Sequence, residues 1–93
     1  MENKIEKEKQ IKPMVIDQLF EIEKSQDKKI SVRLLEFHGY RYVDVRNAGM
    51  EQGNWKFGNG ITLNKKTFPV FLSSLNAYEE TISLALNAQA PEV

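Results

Sequence analysis

The feature that most restricts the fold of this chain is the segment ISVRLLEFHGYRYVDVR, residues 30–46. It contains two runs of β-branched and aromatic residues on either side of the pair His38-Gly39. A two-residue loop that contains glycine favours a tight turn, because glycine tolerates a positive φ. The segment therefore predicts a β-hairpin with this pair in its turn.

The pairing of the two strands can be deduced from their side chains. With this turn, Arg33 lies opposite Asp44 and Glu36 lies opposite Arg41, so both charged pairs join opposite signs. A slip of one residue would move every side chain of one strand to the other face and would break both pairs. The sequence thus predicts the register as well as the hairpin.

The two faces of the hairpin differ in chemistry. The aliphatic face, which must be covered, carries Ile30, Val32, Leu34, Val43 and Val45. The aromatic face carries Ser31, Arg33, Leu35, Phe37, Tyr40, Tyr42, Asp44 and Arg46. The aromatic face has too many rings for an idle solvent surface and too many charges for a core, a combination that indicates an interaction site.

Around the hairpin we expect one domain, residues 14–87, between a charged, poorly ordered arm (1–13) and a frayed end (88–93). Residues 14–24 are compatible with either a helix or a strand, and SQDKK (25–29) reads as a turn.

The rest of the domain is predicted as a loop, a strand and one helix. NAGMEQG (47–53) reads as the loop, and residues 55–63 as a strand with a bend at Gly58-Asn59-Gly60. Asn64 or Thr67 can cap a helix, with Pro69 in its first turns. Apolar residues then recur at helical spacing, at Phe68, Phe71, Leu72, Leu75, Ile82 and Leu86. We expect this helix to cover the aliphatic face.

The net charge of zero conceals a basic middle. Residues 28–66 carry eight Lys and Arg against three acids, together with five of the nine aromatic residues, and both ends are acidic. Basic residues interleaved with aromatic ones are typical of nucleic-acid surfaces. From composition alone, an ordinary solvated sheet remains the alternative.

The sequence lacks the residues that several classes of function require. There is no Cys and only one His, so thiolate and His-rich metal sites are excluded. No serine is placed as a nucleophile beside a base, and Gly58-Asn59-Gly60 lacks the context of a phosphate-binding loop. We therefore expect no enzymatic activity and no cofactor. Without an apolar run for a membrane span or signal peptide, we expect an intracellular protein with no membrane partner.

The hairpin and the following GITLN segment resemble a known family, the single-stranded-DNA-binding domain of the transcriptional positive coactivator four family. The resemblance covers about residues 20–85. The matching pieces are Phe20-Glu21-Ile22, Ser31-Val32-Arg33, Phe37 with Gly39, Val43-Asp44-Val45-Arg46, Gly60-Ile61-Thr62-Leu63-Asn64 and Phe68.

The resemblance implies an α+β fold: a curved four-stranded antiparallel sheet followed by one C-terminal helix, in a homodimer like the whirly-type single-stranded-DNA-binding coactivators. It implies a role in transcription or in DNA replication and repair, with single-stranded DNA and the transcription machinery as partners. The location would be cytoplasmic or nucleoid in a prokaryote or phage and nuclear in a eukaryote.

Residue roles follow from the same resemblance. Phe37 matches an aromatic residue on which nucleobases stack, and Arg46 matches a basic residue that binds the DNA backbone. His38 and Tyr40 flank the family's glycine. The family has a Trp soon after Arg46, where this chain has none, and Trp55 is the candidate replacement. With the bases and rings nearby, the expected nucleic-acid site is Lys29, Arg33, Phe37, His38, Tyr40, Tyr42, Arg46, Trp55, Lys56 and Asn59.

Two alternatives use the same residues. The aromatic face can be a dimer or partner interface, so that the chain is a protein-interaction module. The ligand can also be RNA, because stacking and phosphate contacts do not by themselves distinguish it from DNA.

Overall fold

Four strands in sequence order make up the sheet of the computed structural model, which describes residues 12–88. They are β1 (Met14–Ser25), β2 (Lys28–Phe37), β3 (Tyr40–Glu51) and β4 (Asn54–Leu63). The sheet order is β1-β2-β3-β4, every pairing is antiparallel, and the sheet does not close. The expected four-stranded antiparallel sheet is confirmed. The arm before residue 12 and the end after residue 88 lie outside the described residues.

The central hairpin has the predicted register. Arg33 pairs with Asp44, Glu36 with Arg41, and the strands meet at a turn of His38 and Gly39. Both turn residues have positive φ, 53° and 83°. This is the backbone of a type I′ turn, whose twist matches that of the strands it joins.

The loop predicted at residues 47–53 is wrong. β3 continues to Glu51, and the connection to β4 is a second two-residue turn, Gln52-Gly53, with φ of 52° and 83°. Ala48 is buried within the strand. A run of Asn, Ala and Gly is typical of loops, but pairing on both sides extends the strand through it.

The ambiguous segment 14–24 is a strand, and the turn after it is shorter than predicted, at residues 26–27. Its pairing with β2 shifts at three points: Val15/Asp17, Gln18/Phe20 and Glu23/Ser25. Each shift is a bulge that resets the alternation of side chains. That explains why the sequence of β1 shows no sustained period of two.

At Gly58-Asn59-Gly60, where a bend was predicted, β4 continues as a strand and its pairing with β3 shifts in register between Arg46 and Ala48. Gly60 lies directly against β3 there: a Cβ at this position would stand 2.7 Å from the Cα of Arg46 and would also collide with the carbonyl oxygen of Val45. The close approach of the two backbones therefore requires glycine.

The single predicted helix is two helices, α1 (Thr67–Ala77) and α2 (Glu79–Asn87), separated by Tyr78. Asn64 caps the start as expected: its Oδ1 accepts hydrogen bonds from the backbone N–H groups of Lys66 and Thr67, at 2.9 and 2.8 Å. Neither helix is an apolar membrane span, nor is any other helix of residues 12–88.

The expectation that the helix covers the aliphatic face is wrong. No residue of α1 or α2 is buried, and Phe20, Ile22 and Ile61 on that face remain about half exposed. Within residues 12–88, the buried hydrophobic residues are Val32, Leu35 and Ala48. The helical spacing correctly indicated helical structure over this segment, but it carries no information on which surface the helices pack against.

Candidate nucleic-acid interface

Register places most of the predicted site on one side of the sheet. Lys29, Arg33 and Phe37 alternate along β2 and pair with residues of β3 that project to the same side. The pairing of Met50 with Trp55 and of Ala48 with Phe57 adds two rings from β4. On β2, β3 and β4 the aromatic face includes Lys29, Ser31, Arg33, Leu35, Phe37, Tyr40, Tyr42, Asp44, Arg46, Trp55 and Phe57.

At the centre of this face one carboxylate binds two guanidinium groups. Asp44 is fully buried, and its Oδ2 accepts a hydrogen bond from Arg33 Nη2 at 2.9 Å. Its Oδ1 accepts one from Arg46 Nη2 at 2.8 Å. Arg46 also donates through Nη1 to the carbonyl oxygen of Gly58, at 2.8 Å. Both arginines are therefore held in place on the aromatic face.

Burial by itself raises the pKa of Asp44, because it disfavours the charged form. The hydrogen bonds from Arg46 and Arg33, aided by their positive charges, outweigh burial, so the pKa lies below the ordinary value of 3.8. The hydrogen bonds between Arg46 and Asp44 also raise the pKa of Arg46. Asp44 and Arg46 are therefore both ionised at neutral pH.

Two rings of this face are covered by cations. The Nζ of Lys29 lies 4.1 Å from the centroid of the Trp55 ring and forms an ion pair with Glu21 Oε2 at 2.8 Å. The guanidinium carbon of Arg33 lies 4.3 Å from the centroid of Phe57. Cation–π contacts of this kind fix a side chain over a ring. Trp55 thus has one side of its indole occupied.

The basic middle of the sequence does not produce a basic aromatic face. Asp44 and two acids of β1, Glu21 and Glu23, lie on the same side as its three bases. Local charges therefore balance, which the sequence could not show because the acids of β1 come from outside the basic segment. This face by itself therefore exerts little long-range attraction on an anion.

The open rings lie at one end of the face, beside the turn of β2 and β3. Phe37 and Tyr42 are partly exposed, and Tyr40 is 69% exposed. His38, in the turn itself, contacts Phe37 edge to face at a centroid distance of 4.1 Å. These four predicted residues are brought together, and their rings form a surface on which unpaired bases can stack.

Two predicted residues lie apart from the others. Lys56 pairs in register with Gly49, which places it on the opposite side of the sheet, where its Nζ is 3.7 Å from Glu51 Oε1. Asn59 lines a hollow on the aliphatic side, next to Ile61. The family resemblance suggested both residues, but the alternation of side chains in β4 and its shift in register turn them away from the aromatic face.

Two residues of the face were missed. Gln18 donates from Nε2 to the Oγ of buried Ser31 at 3.1 Å and so closes the face on the β1 side. Phe57 lies under Arg33. The alternation of Trp55 and Phe57 could have revealed the second, whereas the bulges of β1 conceal the first.

No group of three or more His, Cys, Asp or Glu side chains that could hold a metal ion occurs within residues 12–88. Comparison of the chain with models of protein families, with curated proteins and with solved structures finds no match.

Proposed function

We propose that this chain is a non-catalytic single-stranded-DNA-binding protein that acts as a homodimer, of the positive coactivator four type. The observation that carries the proposal is the cluster of open rings, Phe37, Tyr40 and Tyr42, on the same side of the sheet as two fixed arginines. Stacking on such rings contributes about 1–3 kcal/mol per base and tolerates any sequence. Duplex DNA offers no unstacked bases, so single strands are preferred.

The arginines act mainly by position. Arg46 keeps 27% of its side chain exposed while Asp44 holds its guanidinium group, so it can contact a phosphate without first becoming ordered. The Arg33 side chain is 16% exposed and contributes less to the surface. We propose a role in transcription regulation, or as an accessory in DNA replication and repair, for which the resemblance is the support.

The binding test uses fluorescence anisotropy with an unstructured single-stranded DNA, the matching duplex and an RNA of the same sequence. We expect tight binding to the single strand and weak binding to the duplex. Phe37→Leu keeps an apolar side chain but loses the ring, so affinity should fall about 5- to 150-fold. Phe37→Tyr keeps the ring and should bind like the wild type.

Equal affinity for the single strand in Phe37→Leu and the wild type would exclude stacking at this ring. Stronger binding of RNA than of DNA would favour the RNA alternative. Light scattering and anisotropy together test the interaction-module alternative. It holds if the protein is a dimer whose mass does not change when oligonucleotides are added, and if none of the three nucleic acids binds.

Homodimer formation has independent physical support. Three buried apolar residues within residues 12–88 are a very small core, and small domains stay marginal even when well packed. Phe20, Ile22 and Ile61, on the aliphatic side of the sheet, and the apolar sides of both helices remain exposed. A second copy offers the same unpaired surfaces, and a two-fold interface can cover both at once.

The dimer is tested by light scattering on two helix variants. Leu75 lies on the apolar side of α1, and Ser73 lies about 200° around the helix from it. Leu75→Lys should produce monomers or unfolded chains, because it places a charge in the interface. Ser73→Lys, the matched control, should keep the mass at twice 10.7 kDa. A monomeric wild type would contradict the proposal.

A further inference from the structure

A groove opens where β4 ends before β3 does. The last pairing of the two strands joins Val43 to Leu63, so residues 40–42 of β3 have no strand beside them on that edge within the described part of the chain. The groove has a volume of about 630 Å³. It is lined by Gly39, Tyr40, Arg41, Tyr42, Asn64, Lys65 and Lys66.

The groove is strongly basic. It contains three cationic side chains and no acidic one. Lys65 and Lys66 form no ion pair with any side chain of residues 12–88, and the contact of Arg41 with Glu36 is long, 3.8 Å, and largely solvent-exposed. This is the positive charge that the balanced aromatic face lacks.

The start of α1 does not bind the anion itself. Its first free backbone N–H groups, at Lys66 and Thr67, already donate to Asn64 Oδ1, and that of Phe68 donates to the carbonyl oxygen of Asn64 at 2.9 Å. An anion in the groove must therefore be held by side chains. Lysine side chains are long and mobile enough to follow a flexible backbone.

We propose that this groove binds the phosphodiester backbone of the single strand whose bases stack on the neighbouring rings. The inference rests on the proposed function and extends its site to Arg41, Lys65 and Lys66. Tyr40 and Tyr42 belong both to the groove and to the aromatic face, so one continuous ligand can contact both. The rings then hold bases, and the three cations supply most of the dependence on salt.

The geometry favours a polymer over a small anion. The two tyrosine rings of the groove provide stacking surface that inorganic phosphate does not use. A DNA strand that crosses from the rings into the groove can stack its bases on the rings and place its phosphates beside the cations. A free phosphate or a mononucleotide is the competing occupant that the experiment distinguishes.

The experiment measures affinity for an unstructured single-stranded DNA across a series of salt concentrations. The test protein is the double variant Lys65→Ala/Lys66→Ala. Each lost phosphate contact lowers the slope of log K against log salt by about 0.7 for single strands, so the slope should fall by about 1.4. Between about 50 and 200 mM salt, the wild type should lose about sevenfold more affinity than the variant.

The matched control is Lys24→Ala/Lys28→Ala, which removes the same charge at the far end of the sheet. Its slope should stay near that of the wild type. An equal slope in wild type and the Lys65/Lys66 variant would overturn the inference, and so would an equal decrease in the control, which would indicate net charge alone.

Two further outcomes separate the competing explanations. If millimolar inorganic phosphate binds the wild type through Lys65 and Lys66 without displacing the oligonucleotide, the groove is a site for small anions and the inference fails. If the wild type binds no single strand at any salt concentration, the proposed function fails as well. If Phe37→Leu weakens binding while the lysine variant does not, only the groove is refuted.

Discussion

Replacing Asp44 with alanine removes the acceptor shared by four guanidinium nitrogens, two from Arg33 and two from Arg46. The carboxylate is fully buried, and the two arginine side chains are 16% and 27% exposed. After its loss, two positive groups face each other without a counterion on a partly desolvated surface. The folded state should therefore lose stability.

The magnitude follows from burial. Removing one partner of a buried ion pair costs about 3–5 kcal/mol. Both arginines keep a path to solvent, so we expect the lower end of that range, about 3 kcal/mol. Asp44→Asn keeps the volume and one acceptor oxygen and should cost less, about 1.5–3 kcal/mol for the lost charged hydrogen bonds.

Urea unfolding at one fixed protein concentration measures the effect, since the proposed dimer makes stability depend on concentration. Glu36→Ala is the control: its ion pair with Arg41 is 3.8 Å long and exposed, and exposed pairs contribute at most about 1 kcal/mol. If Asp44→Ala and Glu36→Ala lose equally little stability, with unchanged m values, the arginines relax into solvent and the reasoning fails.

Two other predictions use the same measurement. The free energy of unfolding of the wild type should fall as the pH approaches and drops below 3.8, the ordinary pKa of an aspartate, because unfolded Asp44 takes up a proton before folded Asp44 does. The difference in free energy of unfolding between wild type and Asp44→Asn should be constant above about pH 5 and should shrink below it. A difference that stays unchanged down to the acid transition would contradict this prediction. Gly60→Ala should lower the free energy of unfolding by about 1–3 kcal/mol, because the added Cβ would overlap β3 near Arg46. Gly58→Ala is the control and should be nearly neutral, because its Cβ would make only an ordinary contact at 3.9 Å. Similar losses of stability in both variants would show that the strands move apart freely.

The central hairpin could be predicted in full because its two faces differ and its charged pairs fix the register. Arg33 and Asp44 were placed opposite each other from sequence, and they form an ion pair. The same reasoning failed for β1, whose three bulges interrupt alternation, and for residues 47–53, where small polar residues are held in a strand by neighbours on both sides.

The candidate site could be predicted where it depends on the alternation of side chains within the hairpin of β2 and β3, and could not be predicted where it depends on β4. Phe37, Tyr40 and Tyr42 lie together as expected from the hairpin. Lys56 does not join them, because side-chain direction in β4 depends on a bulge that its sequence does not announce. The groove at Lys65 was missed because it forms only where the lengths of β3 and β4 differ.

The meander of strands has a consequence for how the chain folds. Each strand pairs with its neighbour in sequence, and every connection between strands is two residues long. Such short loops close quickly and with little loss of entropy, and β-hairpins form within about 1–10 μs. The sheet can therefore form strand by strand from the central hairpin, so that association into the proposed dimer is expected to be the slow, concentration-dependent step.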